Sequence, residues 1–377
     1  MKIICAPDSF KESISAPDAA AAMATGIRQK FPDVTIDRCP IGDGGEGTLL
    51  SLLESVAGDT IKTKAANVFG EPIDTTIVLL EDRATVFVES AEAIGLSLID
   101  VAQRDIMRSS SFGVGEMIAS ACDQSPASVI VGVGGSATND GGCGMAQALG
   151  VEFYDQNGNL MSAPITAGML GEIARIDTTN RLPALDSISM QVACDVVNPF
   201  VGPNGAAAVY APQKGATAEQ TVQLDAALKR LSQLIKRDLN CDLGTIDRAG
   251  AGGGLAGGLM AFARAKASSG IDIVLEAVQF ESRIRDADLC LTGEGSLDAQ
   301  SGSGKACSGV ARLASRHNVP VVALVGRVSS DFAQTTFPGL TEYQLIGADL
   351  PIETSMREAA ALLAKAAAAT AARYIRP

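Results

Sequence analysis

One stretch of the sequence sets charged side chains among glycines at a point where a strand would meet a helix. Residues 286–311 read DADLCLTGEGSLDAQSGSGKACSGVA and contain Glu294, Asp298 and Lys305. The apolar start predicts a buried strand, and the end predicts a helix. This would bring two carboxylates and an ammonium to the carboxyl end of a strand, where open α/β sheets bind ligands. A phosphate with its magnesium ion fits that set of groups.

Further polar glycine loops follow other predicted strands. These loops are APDSFKES (6–13), GDGGEGT (42–48), GGSATNDGG (134–142), CDVVNP (194–199) and APQKGA (211–216). They contain acids, amides, hydroxyls and lysines but no histidine. This chemistry matches phosphoryl transfer, in which carboxylates hold magnesium, lysines neutralise phosphate and an aspartate orients the hydroxyl that is phosphorylated.

The single histidine, His317, excludes several kinds of site. It lies in ASRHNVP, where a helix is expected to end, and a cation is favourable there. Ser-His-Asp triads, Cys-His pairs and histidine zinc sites are therefore excluded. The eight cysteines are scattered, without a CxxC motif, and are expected to be reduced and buried in a cytoplasmic chain.

Composition and charge indicate a two-domain α/β protein that acts on small molecules. The chain has 377 residues, more than one core usually supports, and 39 glycines that suit close helix-on-sheet packing. A net charge of -13 opposes nucleic-acid binding, which requires basic patches. We find no export or membrane signal, so we expect neither a membrane nor a nucleic acid as partner.

A change in pattern predicts where one domain interrupts the other. Residues 73–80 and 84–89 form β-rich runs on either side of EDR and predict a hairpin rather than a crossover. The parallel α/β pattern resumes after about Phe262. We therefore predict one discontinuous domain, residues 1–66 plus 263–377, and an inserted domain with a mixed sheet, residues 67–262.

Two glycine patterns allow other interpretations. Gly132, Gly134 and Ala137 follow a predicted strand in the GxGxxA form of a dinucleotide fingerprint, which would make the protein an NAD(P)-dependent oxidoreductase. Against this, Asp140 would repel a pyrophosphate. Gly252, Gly254 and Gly257 have GxGxxG spacing without a good preceding strand, so they indicate either close helix approach or a backbone phosphate nest. A non-enzymatic two-domain protein that binds a small organic acid is a third interpretation.

The Lys305 loop is not a standard phosphate loop. No glycine stands five residues before Gly304, and Ala306 replaces the Ser or Thr that would hold the metal in a Walker A motif. Its ligand groups must therefore act together with groups from other loops.

The polar blocks, taken in order, resemble those of the bacterial glycerate kinases of the glucarate and glyoxylate degradation type. The likeness runs from end to end, with small departures at Gly42, Ala211 and Cys307. It implies two unlike α/β domains: one Rossmann-like, with a parallel sheet and helices on both faces, and one inserted. It also implies that ATP, Mg²⁺ and D-glycerate meet in an interdomain cleft and yield a phosphoglycerate.

On this resemblance we assign roles to the matching residues. Asp195 is the candidate base, and Lys11 and Lys305 are the candidate charge neutralisers. Glu294, Asp298 and Asp43 are the candidate magnesium ligands. The candidate substrate- or phosphate-binding residues are Asp8, Ser9, Ser136, Thr138, Asn139, Asn198, Gln213, Lys214, Gly252, Gly253 and Gly254. The sequence leaves open whether the 2- or the 3-hydroxyl is phosphorylated, and whether the protein forms a homodimer.

Overall fold

The computed structural model describes residues 1–42, 47–55, 58–298, 301, 305–333 and 337–375. These form two compact units. The first contains the described residues from 1 to 55 and from 269 to 375, and the second contains residues 58 to 268. The domain limits predicted from the sequence, after residues 66 and 262, remain predictions and differ slightly from the limits of these units.

The strands are numbered in chain order. They are β1 (Lys2–Cys5), β2 (Thr35–Arg38), β3 (Gly58–Ala66), β4 (Pro72–Leu80), β5 (Thr85–Glu89), β6 (Ser128–Gly132), β7 (Glu152–Tyr154), β8 (Arg175–Asp177), β9 (Ser189–Ala193), β10 (Lys266–Ser268), β11 (Leu289–Leu297), β12 (Val321–Val328) and β13 (Glu342–Leu345).

The α-helices are numbered in the same way. They are α1 (Ala16–Lys30), α2 (Thr48–Ser55), α3 (Ala91–Ile94), α4 (Phe112–Cys122), α5 (Cys143–Ala148), α6 (Ala206–Tyr210), α7 (Ala218–Leu239), α8 (Leu255–Phe262), α9 (Gly270–Ala277), α10 (Phe280–Ile284), α11 (Ala306–Arg316), α12 (Ile352–Arg357) and α13 (Ala359–Tyr374). Short 3-10 turns lie at Leu96–Leu98, Val101–Gln103, Ile106–Arg108, Ala167–Glu172, Pro183–Asp186, Pro212–Lys214 and Leu243–Thr245.

The first unit is built on a parallel sheet in the order β13-β12-β11-β1-β2. Its central strands are apolar on both faces, as expected for a sheet covered on both sides. Ile3 and Leu289 belong to the core formed with α1 and α13, while Ile4 and Cys290, which point to the other face, are also fully buried. This is the Rossmann-like parallel sheet that the sequence predicted.

The second unit is built on a mixed sheet in the order β10-β9-β6-β5-β4-β3, with a separate two-stranded pair, β7-β8. The strands from β10 to β5 run parallel, and β4 is antiparallel to both of its neighbours. The predicted hairpin of β4 and β5 is confirmed by the pairing of Val78 with Phe87. Strand β3 belongs to this unit because it pairs with β4 along its whole length.

Several predictions of local structure are confirmed because neighbouring residues decide them. The spacing of Thr217 and Gln220 predicts a capping box, and in the structure the Thr217 side chain caps α7 while Gln220 completes the box. Ser15 caps α1 through the backbone N–H of Asp18, at 3.2 Å. His317 lies just after α11, with Nε2 3.2 Å from a carboxylate oxygen of Glu281. All eight cysteines are free thiols, and all except the half-buried Cys241 are buried.

One local prediction is wrong. The spacing of Ser355 and Glu358 predicts a cap for the last helix, but Ser355 lies within α12, where its hydroxyl donates to the Gly347 carbonyl at 3.1 Å. Asn157-Gly158 predicts a hairpin turn, and the turn forms with an antiparallel bridge between Tyr154 and Leu160, while β7 also pairs with β8. No helix in the described part of the chain has the length and hydrophobicity needed to cross a bilayer.

Candidate active site

The loop that follows β6 is the most deeply buried polar segment of the second unit. Ser136 is 4% exposed, and Thr138, Asn139 and Asp140 are fully buried. Backbone hydrogen bonds fix the loop from one side: the Ala137 N–H donates to the Ile94 carbonyl at 2.8 Å. The structure thus brings together the three predicted ligand residues of this loop, at the carboxyl end of a parallel strand.

Asp140 is the anchor of this loop. Its carboxylate accepts hydrogen bonds from the Ser111 N–H and hydroxyl, both at 2.7 Å, and from the N–H groups of Gly142 and Gly144, at 3.1 and 3.2 Å. Burial raises the pKa of Asp140, and these donors oppose the rise. Ser111 stands just before α4, where a serine is expected to cap the helix, but its side chain makes no cap hydrogen bond and instead joins the start of α4 to this loop.

The three consecutive glycines pack against the same loop. Gly252, Gly253 and Gly254 all have positive φ angles, of 63, 71 and 86°. A Cβ on Gly253 would lie 1.9 Å from the Thr138 carbonyl oxygen, which no side chain tolerates. Close approach of two backbones therefore explains these glycines; a phosphate contact remains a prediction.

Lys214 is buried beneath the loop. It is only 4% exposed, and its Nζ donates to the Thr138 carbonyl at 2.8 Å and to the Ser136 hydroxyl at 3.4 Å. Burial lowers the pKa of Lys214 to about 7, although the negative charge of Asp140 acts to raise it. Lys214 therefore joins two of the predicted ligand residues. The neighbouring Gln213, by contrast, has an exposed side chain.

Asp195 follows β9 and lies at the same edge of the sheet. Gly132 pairs with Ala193, so the segments that follow β6 and β9 leave the sheet side by side. The half-buried Asp195 stands two residues after that pair. Asn198, predicted to bind substrate, uses its side chain to hold its own loop: Nδ2 donates to the Asn204 carbonyl at 2.8 Å, and Oδ1 accepts from the Tyr210 hydroxyl at 2.6 Å.

Sequence reasoning missed two charged residues at this edge. Glu89 ends β5, pairs with Gly132 and is 4% exposed. The sequence does contain a signal for it, since Glu89 is an acid at the end of the apolar run TVFVE. Arg248 donates to the Cys194 carbonyl, next to Asp195, at 2.5 Å. It comes from an irregular segment, and no sequence pattern marks it.

Several buried polar atoms of this unit have no hydrogen-bond partner among the described residues. They include Ser90 Oγ, Arg104 Nε, Thr138 Oγ1 and Asn139 Oδ1. Burying such an atom costs about 1–3 kcal/mol. Two of these atoms belong to the 133–139 loop, and the Ser90 N–H donates to the carbonyl of Gly132, just before that loop, at 2.9 Å. Groups left unsatisfied together in this way are typical of a ligand site.

In the first unit, Asp8 follows β1 and lies next to the part of β11 that contains Glu294. The Asp8 N–H donates to the Gly293 carbonyl at 2.8 Å, and the Ser9 N–H donates to the Asp8 carboxylate at 2.6 Å. Glu294 is 8% exposed. Burial raises the pKa of the Cys307 thiol, and the negative charges of Glu294 and Asp8 act in the same direction.

Asp298 and Lys305 form a second cluster in the first unit. Lys305 Nζ lies 3.3 and 3.4 Å from the two carboxylate oxygens of Asp298. The Asp298 carboxylate also accepts a hydrogen bond from the Ser301 N–H at 3.0 Å. Lys305 is the residue immediately before α11. The structure thus brings a predicted metal ligand together with a predicted phosphate-neutralising lysine.

The two predicted metal ligands of β11 are not neighbours. Strand residues rise about 3.3 Å each, so the Cα atoms of Glu294 and Asp298 lie roughly 13 Å apart. That is too far for both carboxylates to bind one Mg²⁺ at about 2.1 Å while the strand stays extended. Lys11 is exposed, and its N–H lies 3.8 Å from the place of a Cβ on Gly295. The third candidate ligand, Asp43, lies outside the described residues.

The carboxylates present suit magnesium that is shared with a substrate. Among the described residues, no three acidic, histidine or cysteine side chains come together to hold a metal by themselves. Mg²⁺ in phosphoryl-transfer sites is usually held by one or two carboxylates plus substrate phosphates. The half-buried Asp8 and the buried Glu294 provide hard oxygen ligands of that kind.

The fold and these polar strand ends define a two-unit α/β protein with ligand groups at the carboxyl edges of its parallel strands. A model of the glycerate kinase family matches residues 3–375. The chain belongs to the glycerate kinase family, and it is a kinase, with an alcohol group as acceptor. The resemblance seen in the sequence is thereby confirmed, and the kinase interpretation is favoured over the oxidoreductase and the binding protein.

Individual relatives cover nearly the whole chain. A glycerate kinase of Bacillus subtilis (strain 168) is 40% identical over 368 residues, covering 97% of this chain and 96% of the relative. A glycerate 2-kinase of Escherichia coli (strain K12) is 41% identical over 331 residues, covering 88% of this chain and 86% of the relative. A crystal structure described as "putative glycerate kinase 2" from Salmonella typhimurium LT2 has a TM-score of 0.87 at 39% identity, covering 99% and 98% of the two chains.

Proposed function

We propose that this protein transfers the terminal phosphoryl group of ATP to D-glycerate, assisted by Mg²⁺. The observation that carries this proposal is the group formed by Lys214, Ser136 and Thr138 at the strand end beside Asp195. It combines a buried cation, hydroxyls and a carboxylate, which are the groups needed to bind a small hydroxy acid and orient one of its hydroxyls. The family membership supports glycerate as that acid.

Asp195 is the proposed base. In phosphoryl transfer the protein mainly positions the reactants, and an aspartate that accepts a hydrogen bond from the attacking hydroxyl is sufficient because the transition state is loose. The place of Asp195 next to the buried 133–139 loop suits this role. Its carboxylate would take the hydroxyl proton as the new P–O bond forms.

The first unit is proposed to bind the nucleotide. Lys305 lies at the amino terminus of α11, where backbone N–H groups also favour anions, and its ammonium would neutralise a phosphate together with Lys11. Asp8 and Glu294 would hold Mg²⁺, with Asp298 positioning Lys305. When bound, the ion neutralises charge on the phosphates.

The 2-hydroxyl is the proposed acceptor. The name of the Escherichia coli relative, glycerate 2-kinase, supports this choice. The proposal includes the expectation that phosphoryl transfer takes place in a cleft between the two units, because the base and the nucleotide-binding groups are assigned to different units.

A coupled assay for ADP tests the function. With ATP, Mg²⁺ and D-glycerate we expect steady ADP release. D-Lactate has no 3-hydroxyl, so ADP release with D-lactate would show transfer to the 2-hydroxyl. The absence of glycerate-dependent ADP would refute the proposal. Phosphorus NMR of the product distinguishes 2-phosphoglycerate from 3-phosphoglycerate; formation of the 3-phosphate would refute the choice of hydroxyl only.

The assigned metal ligands have a test of their own. Asp8→Asn and Glu294→Gln should each raise the Mg²⁺ concentration needed for half-maximal rate, whereas Asp123→Asn, at an exposed position in the second unit, should not. Direct titration of the ATP-bound protein with Mn²⁺, followed by electron paramagnetic resonance, measures the same sites without turnover. Unchanged metal affinity in both variants would remove Asp8 and Glu294 from the metal site.

A further inference from the structure

Arg104 is held against the turn that carries Lys214. Its Nη1 donates to the Gln213 carbonyl at 3.0 Å. A Cβ on Gly215 would lie 2.9 Å from the Arg104 carbonyl oxygen, so the two backbones are in close contact. Since Lys214 in turn donates to the Thr138 carbonyl at 2.8 Å, Arg104 is joined to the 133–139 loop through a single turn of chain.

One edge of this guanidinium has a hydrogen-bond donor without a partner. Nε is buried, and nothing in the described part of the chain accepts its hydrogen. Because Nη1 is occupied by Gln213, the edge formed by Nε and Nη2 is the one that remains. Two parallel N–H groups on such an edge match the two oxygens of a carboxylate, a geometry that lysine cannot reproduce.

The nearby groups without partners complement the rest of a short hydroxy acid. Asn139 donates through Nδ2 to the Ala206 carbonyl at 3.3 Å, which leaves Oδ1 as an acceptor for a hydroxyl. Thr138 Oγ1, also without a partner, can either donate or accept. Donors for a carboxylate and acceptors for a hydroxyl therefore occur around one loop.

We propose that Arg104 binds the carboxylate of the substrate and makes the protein specific for a short hydroxy acid over its neutral analogues. The identity of the acid as glycerate rests on the proposed function; the recognition of a carboxylate rests on the Arg104 Nε–H that has no partner among the described residues. A phosphate of the nucleotide is the competing ligand, and the experiment separates the two.

Steady-state kinetics of Arg104→Met provide the first test. We expect the KM for D-glycerate to rise by about 10- to 100-fold, the loss typical of a charge-assisted pair, with little change in the KM for ATP. Arg108→Met is the matched control, because Arg108 is exposed and lies over the Phe69 ring at 5.6 Å. An unchanged KM for D-glycerate, or a rise confined to the KM for ATP, would overturn the proposal.

Calorimetry without nucleotide separates this proposal from the proposed function. The wild-type protein should bind D-glycerate more tightly than D-glyceramide, the neutral amide, and Arg104→Met should lose that preference. A retained preference overturns the role of Arg104 whether or not the protein forms ADP. If binding follows this expectation but no ADP forms, the carboxylate site stands and the kinase assignment fails.

A conservative variant provides a second test in case Arg104→Met does not fold. Arg104→Lys keeps the charge but loses the paired N–H groups, so its KM for D-glycerate should lie between those of the wild type and the methionine variant. A lysine variant with the wild-type KM and wild-type preference would show that the Nε–Nη2 edge is not used, and would also overturn the proposal.

Discussion

The ammonium group of Lys214 lies 2.8 Å from the Thr138 carbonyl oxygen, in a place where only 4% of the lysine is exposed. This contact joins the turn at Pro212–Lys214 to the loop after β6. It explains how a loop rich in glycine can hold hydroxyl and amide groups in fixed positions: a buried cation lies beneath it and a buried carboxylate, Asp140, anchors its far end.

Lys214 predicts a specific dependence of stability on pH. Its pKa in the folded protein, about 7, lies below the ordinary value of 10.5. Between those pH values the unfolded chain binds the extra proton, so this group makes the free energy of unfolding rise with pH, by at most about 1.4 kcal/mol per unit. Below about pH 7 both states are protonated and the contribution levels off.

Urea denaturation from about pH 6 to pH 9 measures this effect. The difference in unfolding free energy between the wild type and Lys214→Met should grow as the pH rises above about 7. The same difference for Lys229→Met, at an exposed position of α7, should stay flat. A flat profile for Lys214→Met as well would mean that the buried amine keeps its ordinary pKa.

Asp195→Asn should lower kcat by about 100-fold or more, the loss expected for a general base, while leaving ATP affinity close to that of the wild type. Steady-state kinetics with saturating ATP and D-glycerate measure kcat, and nucleotide titration measures affinity. Asp123→Asn, an exposed aspartate after α4, is the control and should retain full turnover. Turnover of Asp195→Asn near the wild-type value would assign the base to another carboxylate.

Lys305→Met should weaken nucleotide binding more than it weakens the fold. The side chains of Lys305 and Asp298 are 29% and 37% exposed, and ion pairs this open contribute at most about 1 kcal/mol to stability. We expect the KM for ATP to rise by about tenfold, equivalent to roughly 1.4 kcal/mol. Arg312→Met removes an exposed ion pair with Asp272 from the same helix and serves as the control. Equal KM values in the two variants would contradict a role for Lys305 in binding ATP.

Gly253→Ala should be far more damaging than Gly158→Ala. Both glycines have a positive φ, of 71 and 81°, so both variants share the cost of the left-handed conformation. Only at Gly253 would the new Cβ meet backbone, since no atom lies within 4 Å of its place at Gly158. We expect the Gly253 variant to lose at least about 2 kcal/mol more in urea denaturation, and to lose activity because Thr138 moves. Equal losses would show that the loop yields to the methyl group.

The parts of the fold that could be predicted are those that short stretches of sequence decide. The apolar run of β1, the antiparallel pair of β4 and β5 and the capping box at Thr217 each depend on residues within a few positions of one another. Ser355 shows the limit of this reasoning. It stands three residues before Glu358 as a capping box requires, but a helix break at Glu358 and the Gly347 carbonyl decide its place.

The sequence could predict which residues belong to the candidate site, but not which of them contact one another. The sequence pointed to Lys214, Ser136 and Thr138 separately, and only the fold shows that the lysine lies under the other two. On the resemblance, Glu294 and Asp298 are both assigned to magnesium, whereas in the structure the Asp8 N–H bonds to the carbonyl of Gly293, the residue before Glu294. Glu89, Arg104 and Arg248 were missed because their importance comes from strand pairing and from turns distant in sequence.

The sheet order of the first unit has a consequence for synthesis of the protein. Strand β1 lies between β2, which follows it directly, and β11, which begins at Leu289. The ribosome therefore synthesises all of residues 58–268 before it synthesises β11, the strand that pairs with the second edge of β1. The second unit can fold as the chain emerges, while the first segment waits with one side of β1 open. A chain that ends before β11 would leave one edge of β1 exposed. Chaperones that shield strand edges should therefore bind such incomplete chains more than the full-length protein.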